Sequence, residues 1–223
     1  MRTIGDRSFY DRLDELIAPR HTAVIVVDQQ NDFCHPDGFY AKELKLDVSM
    51  LQRITDPIND LVIAARRVGA KVVFTQNVIK KGFVSDSPLW LGIHVGAGLK
   101  SLVQENFYVM EGTWGADIYD AVERHETDII VPKLRSNGFH ETPLKSLLLS
   151  HGIETVIIAG QVTEGCVEST IRGARDNDFY TVLAKDAIGS TSLERHDRIM
   201  ANWLTRSHCP DVAEIVSIWN GQS

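Results

Sequence analysis

Along the chain, short apolar runs alternate with longer segments whose apolar residues recur at helical spacing. That alternation marks parallel strands buried on both faces by crossover helices. The runs predict strands at 22–27, 71–75, 128–132, 155–159, 180–184 and 212–217. Between them the spacing predicts helices near 50–68, 115–125, 142–150, 166–176 and 193–206, several stopped by a glycine such as Gly69 or Gly152. The expected fold class is α/β, three-layer α-β-α with a mostly parallel six-stranded Rossmann-like sheet. An amphipathic piece at 8–17, carrying Phe9, Leu13, Leu16 and Ile17, reads as part of an accessory N-terminal segment, 1–20.

Residues 77–114 are long for a connection and contain Trp90, His94 and Trp114, so this stretch is expected to shape a pocket or an interface. Neither a repeat nor a linker interrupts the rhythm. With 223 residues, 43% of them hydrophobic, the chain has material for one core, and a single domain over 1–223 is expected.

Composition narrows the class of function. A formal charge of -7 disfavours nucleic acid or an anionic membrane as partner, since both need clustered Lys and Arg, and leaves a small molecule as the better expectation. The N-terminus is charged, and apolar stretches of about 18 residues are absent, so a soluble, cytoplasmic protein is expected. Three widely spaced cysteines, Cys34, Cys166 and Cys209, fit neither a disulfide framework nor a C-x-x-C site, so at least one thiol should be free.

In an open parallel sheet, ligands bind beyond the carboxyl ends of the strands. Three apolar runs end there in reactive residues: 24–27 in Asp28, 129–132 in Lys133, and 156–160, through a short turn, in Cys166. Taken singly, a cysteine is more often a small buried hydrophobe, an aspartate after a strand a cap, and a lysine a solvated surface group. Together they would put an acid, a base and a thiol on one rim. The N-terminus of a helix starting at Cys166, with a nearby ammonium, would lower the thiol pKa from about 8.5 toward roughly 3.5–7.5.

The segments Val26-Val27-Asp28-Gln29-Gln30-Asn31-Asp32-Phe33, then Lys133, then Gly160-Gln161-Val162-Thr163-Glu164-Gly165-Cys166-Val167-Glu168-Ser169-Thr170 resemble the isochorismatase-like cysteine hydrolases over about 20–217. The resemblance implies an Asp-Lys-Cys triad of Asp28, Lys133 and Cys166. It also implies a non-proline cis peptide at Val162–Thr163 and an oxyanion hole built from the backbone N–H groups of Thr163 and Cys166. Cys166 would then attack the carbonyl of a small amide or ureide, form a thioester and release ammonia, with no cofactor. Relatives form dimers or tetramers, so a homo-oligomer is implied, with 77–114, Trp203 and Trp219 as interface candidates.

Within that family, nicotinamidases carry an Asp-x-His and a further His as metal ligands; here the chain reads Cys34-His35-Pro36-Asp37, and Thr75-Gln76-Asn77 where the later His would fall. No metal is therefore expected, His35 with Asp37 being more often a loop pair than a ligand set. Isochorismatases proper lack the nucleophilic cysteine. The run from Lys133 to Leu144, with Phe74-Thr75-Gln76-Asn77 and the segment after Cys166, is similar to the ureidoacrylate amidohydrolase and N-carbamoyl amidase branch. A nicotinamidase-type carboxamide hydrolase, or a non-catalytic member of the fold, is the alternative.

Glu164 stands where many relatives have Asn or Asp; it would either bind a substrate N–H or pair with a neighbouring arginine. Further substrate-binding candidates are Gln30, Phe33, Tyr40, Asn77, Trp90, Trp114, Arg135 and Phe139, because small amide pockets are mainly apolar with a few polar anchors. Thr142 and Asp186 read as a helix cap and a loop fastener.

Overall fold

The computed structural model of the protein describes residues 1–96 and 107–221. An N-terminal hairpin, β1 (Arg2–Ile4) with β2 (Arg7–Phe9), forms a small sheet of its own. The central sheet is built from β3 (Thr22–Val27), β4 (Lys71–Asn77), β5 (Ile129–Lys133), β6 (Thr155–Gln161) and β7 (Tyr180–Gly189), in the order β5-β4-β3-β6-β7. Every neighbouring pair is parallel.

Alternation along the strands divides the core in two. Val24 and Val26 of β3, with Ile157 and Ala159 of β6, face the helices Thr55–Val68 and Val212–Trp219. Ala23, Ile25 and Val27, with Val156 and Ile158, face Leu144–Ser150, Glu168–Asp176 and Leu193–Leu204. β3 has no exposed position, as expected of a strand covered on both faces.

Chain order makes the site. From β3 the sheet grows through β4 to β5; the chain then crosses back to lay β6 on the other side of β3, so connections diverge between the ends of β3 and β6. This switch point is where open α/β sheets bind ligands. At that junction Gly160 of β6 faces Val27 of β3 with φ 107°, and a Cβ there would overlap the Val27 backbone, so only glycine lets the two strands close.

Three expectations need correction. The central sheet has five strands, not six: the apolar run at 212–217 lies in the helix Val212–Trp219. Val212, Ile215, Val216 and Trp219 sit at i, i+3, i+4 and i+7 and turn one face onto the sheet. The segment 115–125 is not a helix; after the 3-10 turn Trp114–Ala116 its backbone is tied by side chains, Asn59 bonding both the Ala121 carbonyl and the Glu123 N–H. Of the interface candidates, Trp203 lies in the core at 3% exposure, while Trp219 is half-buried and donates from Nε1 to the Ile17 carbonyl.

The predicted helix at 50–68 is divided into Ser49–Arg53 and Thr55–Val68. Asp186 accepts the Val212 N–H at the start of the last helix, fastening its loop. Of the stretch 77–114, residues 97–106 lie outside the described residues. Among the described residues no helix is long and apolar enough to cross a membrane.

Candidate active site

Asp28, Lys133 and Cys166 meet at the switch point. Asp28 follows β3 with φ 50°, a left-handed conformation that aspartate tolerates better than most residues, and this turns its carboxylate back over the sheet end. Thr75 donates its hydroxyl to Asp28 Oδ1 at 2.7 Å, and the Gln161 amide holds the Asp28 carbonyl at 2.8 Å. Lys133 ends β5, two strands away from β3. Strands lie about 4.8 Å apart, so only a long side chain can cross β4 to reach the same point. It does so fully buried: Lys133 Nζ lies 2.7 Å from Asp28 Oδ2, 3.3 Å from Cys166 Sγ and 3.0 Å from the Arg135 carbonyl.

Lys133 Nζ and Asp28 Oδ2 form a buried ion pair. That oxygen keeps a lone pair for the thiol. Burial alone would lower the Lys133 pKa, but the charges of Asp28 and Cys166 outweigh it and hold the group above its ordinary value as an ammonium.

Cys166 sits in a wide π-type turn, Thr163–Val167, in which Gly165 takes φ -114° and ψ -105°; the regular helix begins only at Glu168. Such turns often mark functional positions. The peptide bond between Gln161 and Val162 is cis, one residue before the expected Val162–Thr163. The expected lowering of the thiol pKa is also corrected: burial among protein atoms pushes Cys166 up to about 12, with Lys133 opposing and Asp28 reinforcing the shift.

Cys166 forms the floor of a cavity of about 200 Å³, small beside the roughly 300–1,000 Å³ of drug-sized sites. Of the sequence candidates, Phe33, Tyr40, Asn77, Trp90 and Arg135 line it. Arg135 stacks over the Trp90 ring at 5.1 Å while its guanidinium donates to the Ser85 carbonyl. The other candidates act elsewhere. Gln30 is wholly buried and clamps Asn77, accepting its N–H at 2.8 Å and donating to its carbonyl at 2.9 Å. Trp114 is 43% exposed, bonded to Asp120 and set edge-on to His35. Phe139 packs on Phe179 in the core.

Glu164 turns away from the cavity, its Oε1 accepting from Ser190 at 3.1 Å and facing Arg195 at 3.7 Å, so of the two readings the arginine pair is the one realised. Thr163 is buried, its hydroxyl 2.8 Å from His196 Nδ1. His35 and Asp37 form a loop pair, with Asp37 also bridged to Lys42, and no group of three or more potential ligands among the described residues is arranged to hold a metal ion.

Asp86 and Tyr108 also line the cavity, unmarked by the sequence pattern, as does His94, which the sequence indicated only as part of the pocket-shaping stretch 77–114. All belong to the long connection after β4, where no periodicity indicates which side chains turn inward. The other two thiols are ordinary: burial raises the Cys34 pKa strongly, and burial also raises that of Cys209.

Comparison with known proteins adds to this geometry. The family model described as the isochorismatase domain matches residues 22–207. Ureidoacrylate amidohydrolase RutB of Klebsiella pneumoniae subsp. pneumoniae is 34% identical over 175 residues, covering 76% of this chain and 74% of that protein. Among solved structures, a cysteine hydrolase from Pseudomonas syringae pv. phaseolicola superimposes with a TM-score of 0.79 at 22% identity, over 93% of this chain and 96% of that one. N-carbamoylsarcosine amidase from Thermoplasma acidophilum does so with a TM-score of 0.65 at 21% identity, over 86% and 96%. At such identities these two likenesses speak to the fold.

Proposed function

The chain belongs to the isochorismatase family, and from that premise we propose that it is a cysteine-dependent amidohydrolase cleaving a C–N bond in a small linear ureido or N-carbamoyl compound. The observation that carries this reading is the single ammonium, Lys133 Nζ, within 2.7 Å of a carboxylate and 3.3 Å of a thiol at the floor of a small cavity. The ureido class is supported by the 34% identity to a protein named for ureidoacrylate hydrolysis.

In the proposed reaction Asp28 Oδ2 takes the Cys166 proton as Sγ bonds to the carbonyl carbon, which spares the enzyme a free thiolate. Lys133 steadies the thiolate character that develops on sulfur and keeps the carboxylate aimed. The backbone N–H groups of Thr163 and Cys166 donate to the oxyanion; one such donor typically contributes about 10²–10³ in turnover. Asp28 then returns its proton to the leaving nitrogen, the C–N bond breaks, and ammonia departs from a thioester. The carboxylate next takes a proton from water as it attacks, and the thiol is restored. The route uses no cofactor.

The same reading makes the protein a single-domain cytoplasmic enzyme and a homo-oligomer, with neither nucleic acid nor membrane as partner. An ammonia-release screen over N-carbamoyl amino acids, aliphatic carboxamides and biuret tests it. Turnover of an N-carbamoyl compound that vanishes in Cys166→Ala supports the proposal; turnover retained in that variant ends it.

A further inference from the structure

Opposite Cys166, the cavity wall contains a chain of hydrogen bonds that the proposed reaction does not use. Asp86 Oδ1 lies 3.1 Å from His94 Nε2, and His94 Nδ1 lies 3.1 Å from the Tyr108 hydroxyl. All three residues line the cavity, and the Asp86 and His94 side chains are almost out of water, at 4% and 8% exposure. The far end is fixed as well. The Lys80 N–H occupies a lone pair of Ser85 Oγ, so the Ser85 proton goes to Asp86 Oδ2 at 2.9 Å.

These partners set the direction of every proton in the relay. A carboxylate only accepts, so His94 donates from Nε2, and in the tautomer this selects Nδ1 is an acceptor. Tyr108 must then donate its one proton to His94, and only its lone pairs remain for the cavity. Burial and the nearby Cys166 raise the pKa of this hydroxyl, so it stays a phenol.

We infer that Tyr108 is a specificity-determining residue whose oxygen, turned into an obligate acceptor by His94 and Asp86, selects a substrate presenting an amide N–H over its carboxylate isostere. The inference rests on the amide reading of this site and deepens it: an amide and the acid made from it have nearly the same shape, and the relay distinguishes –NH2 from –O⁻. A carboxylate oxygen facing the Tyr108 lone pairs is repelled, which favours departure of an acidic product.

The relay predicts its own reversal. In Asp86→Asn, Ser85 still donates to the oxygen on its side, so the new –NH2 faces His94 Nε2 and donates to it. The ring proton moves to Nδ1, Tyr108 accepts from His94, and its own proton turns into the cavity. The test measures binding of succinamate and succinate, which differ only in one –NH2 against one –O⁻, by calorimetry on the Cys166→Ala protein. Turnover by Cys166→Ala bears separately on the proposed reaction.

Succinamate should bind that protein at least about tenfold more tightly than succinate, the scale of one good hydrogen bond. Adding Asp86→Asn should erase or invert the preference by tightening succinate. Adding the near-isosteric Tyr108→Phe should reduce it by weakening succinamate without weakening succinate. An unchanged ratio in either variant, or no binding of either compound to the parent, overturns the assignment.

Discussion

The two walls of the cavity are made in opposite ways. The floor is assembled from the ends of β3, β5 and β6, which position Asp28, Lys133 and Cys166, and β3 and β6 are buried along their whole length. The opposite wall is assembled from the connection after β4, where Trp90, His94 and Tyr108 are held by one another and by Asp86. A sheet end fixes three atoms within hydrogen-bond reach because its strands cannot move independently, which suits bond making. An irregular segment can change its side chains at little cost to the core, which suits the choice of substrate.

If the floor acts as a preorganised unit, Lys133→Met should break it most. The variant leaves the Asp28 carboxylate buried without its counter-charge, at a cost of about 3–5 kcal/mol in a denaturant titration. Turnover on the best substrate should fall about 10²–10⁴-fold with it. Near-normal turnover in a folded Lys133→Met protein would remove the lysine from the mechanism.

The wall should respond differently. Trp90→Ala removes the ring beneath Arg135 and should raise KM about tenfold while kcat changes little, since one aromatic contact of this kind is of the order of 1–2 kcal/mol. A loss confined to kcat would mean that the wall takes part in the chemistry. Trp114→Phe, at an aromatic the cavity does not use, should leave both constants within about twofold. A larger change would extend the site beyond the lining residues.

The same contrast separates what the sequence reveals from what it hides. Asp28, Lys133 and Cys166 were legible because each follows an apolar run, and the carboxyl edge of a parallel sheet is a place the pattern itself marks. The run at 212–217 misled because a short apolar stretch suits a strand and a buried helix alike; its spacing, Val212 to Trp219 over two turns, was the better guide. Trp114, Phe139 and Tyr108 are all aromatic and all near the site in sequence or space, yet only Tyr108 faces the cavity. Which way an aromatic turns depends on partners such as His35 for Trp114 and Phe179 for Phe139, distant contacts that no local pattern encodes. The thiol pKa eluded the sequence for a related reason: a helix terminus and an ammonium can be read from the chain, but the desolvation that outweighs them cannot.

The central claim is that Cys166 forms a covalent intermediate with a ureido carbonyl. Mass spectrometry of an acid-quenched reaction with an N-carbamoyl amino acid measures it directly. An adduct is expected on the peptide containing Cys166, absent from peptides containing Cys34 or Cys209 and absent in Cys166→Ala. Steady turnover in which Cys166 carries no adduct, together with a Cys166→Ala protein that still releases ammonia, would contradict it.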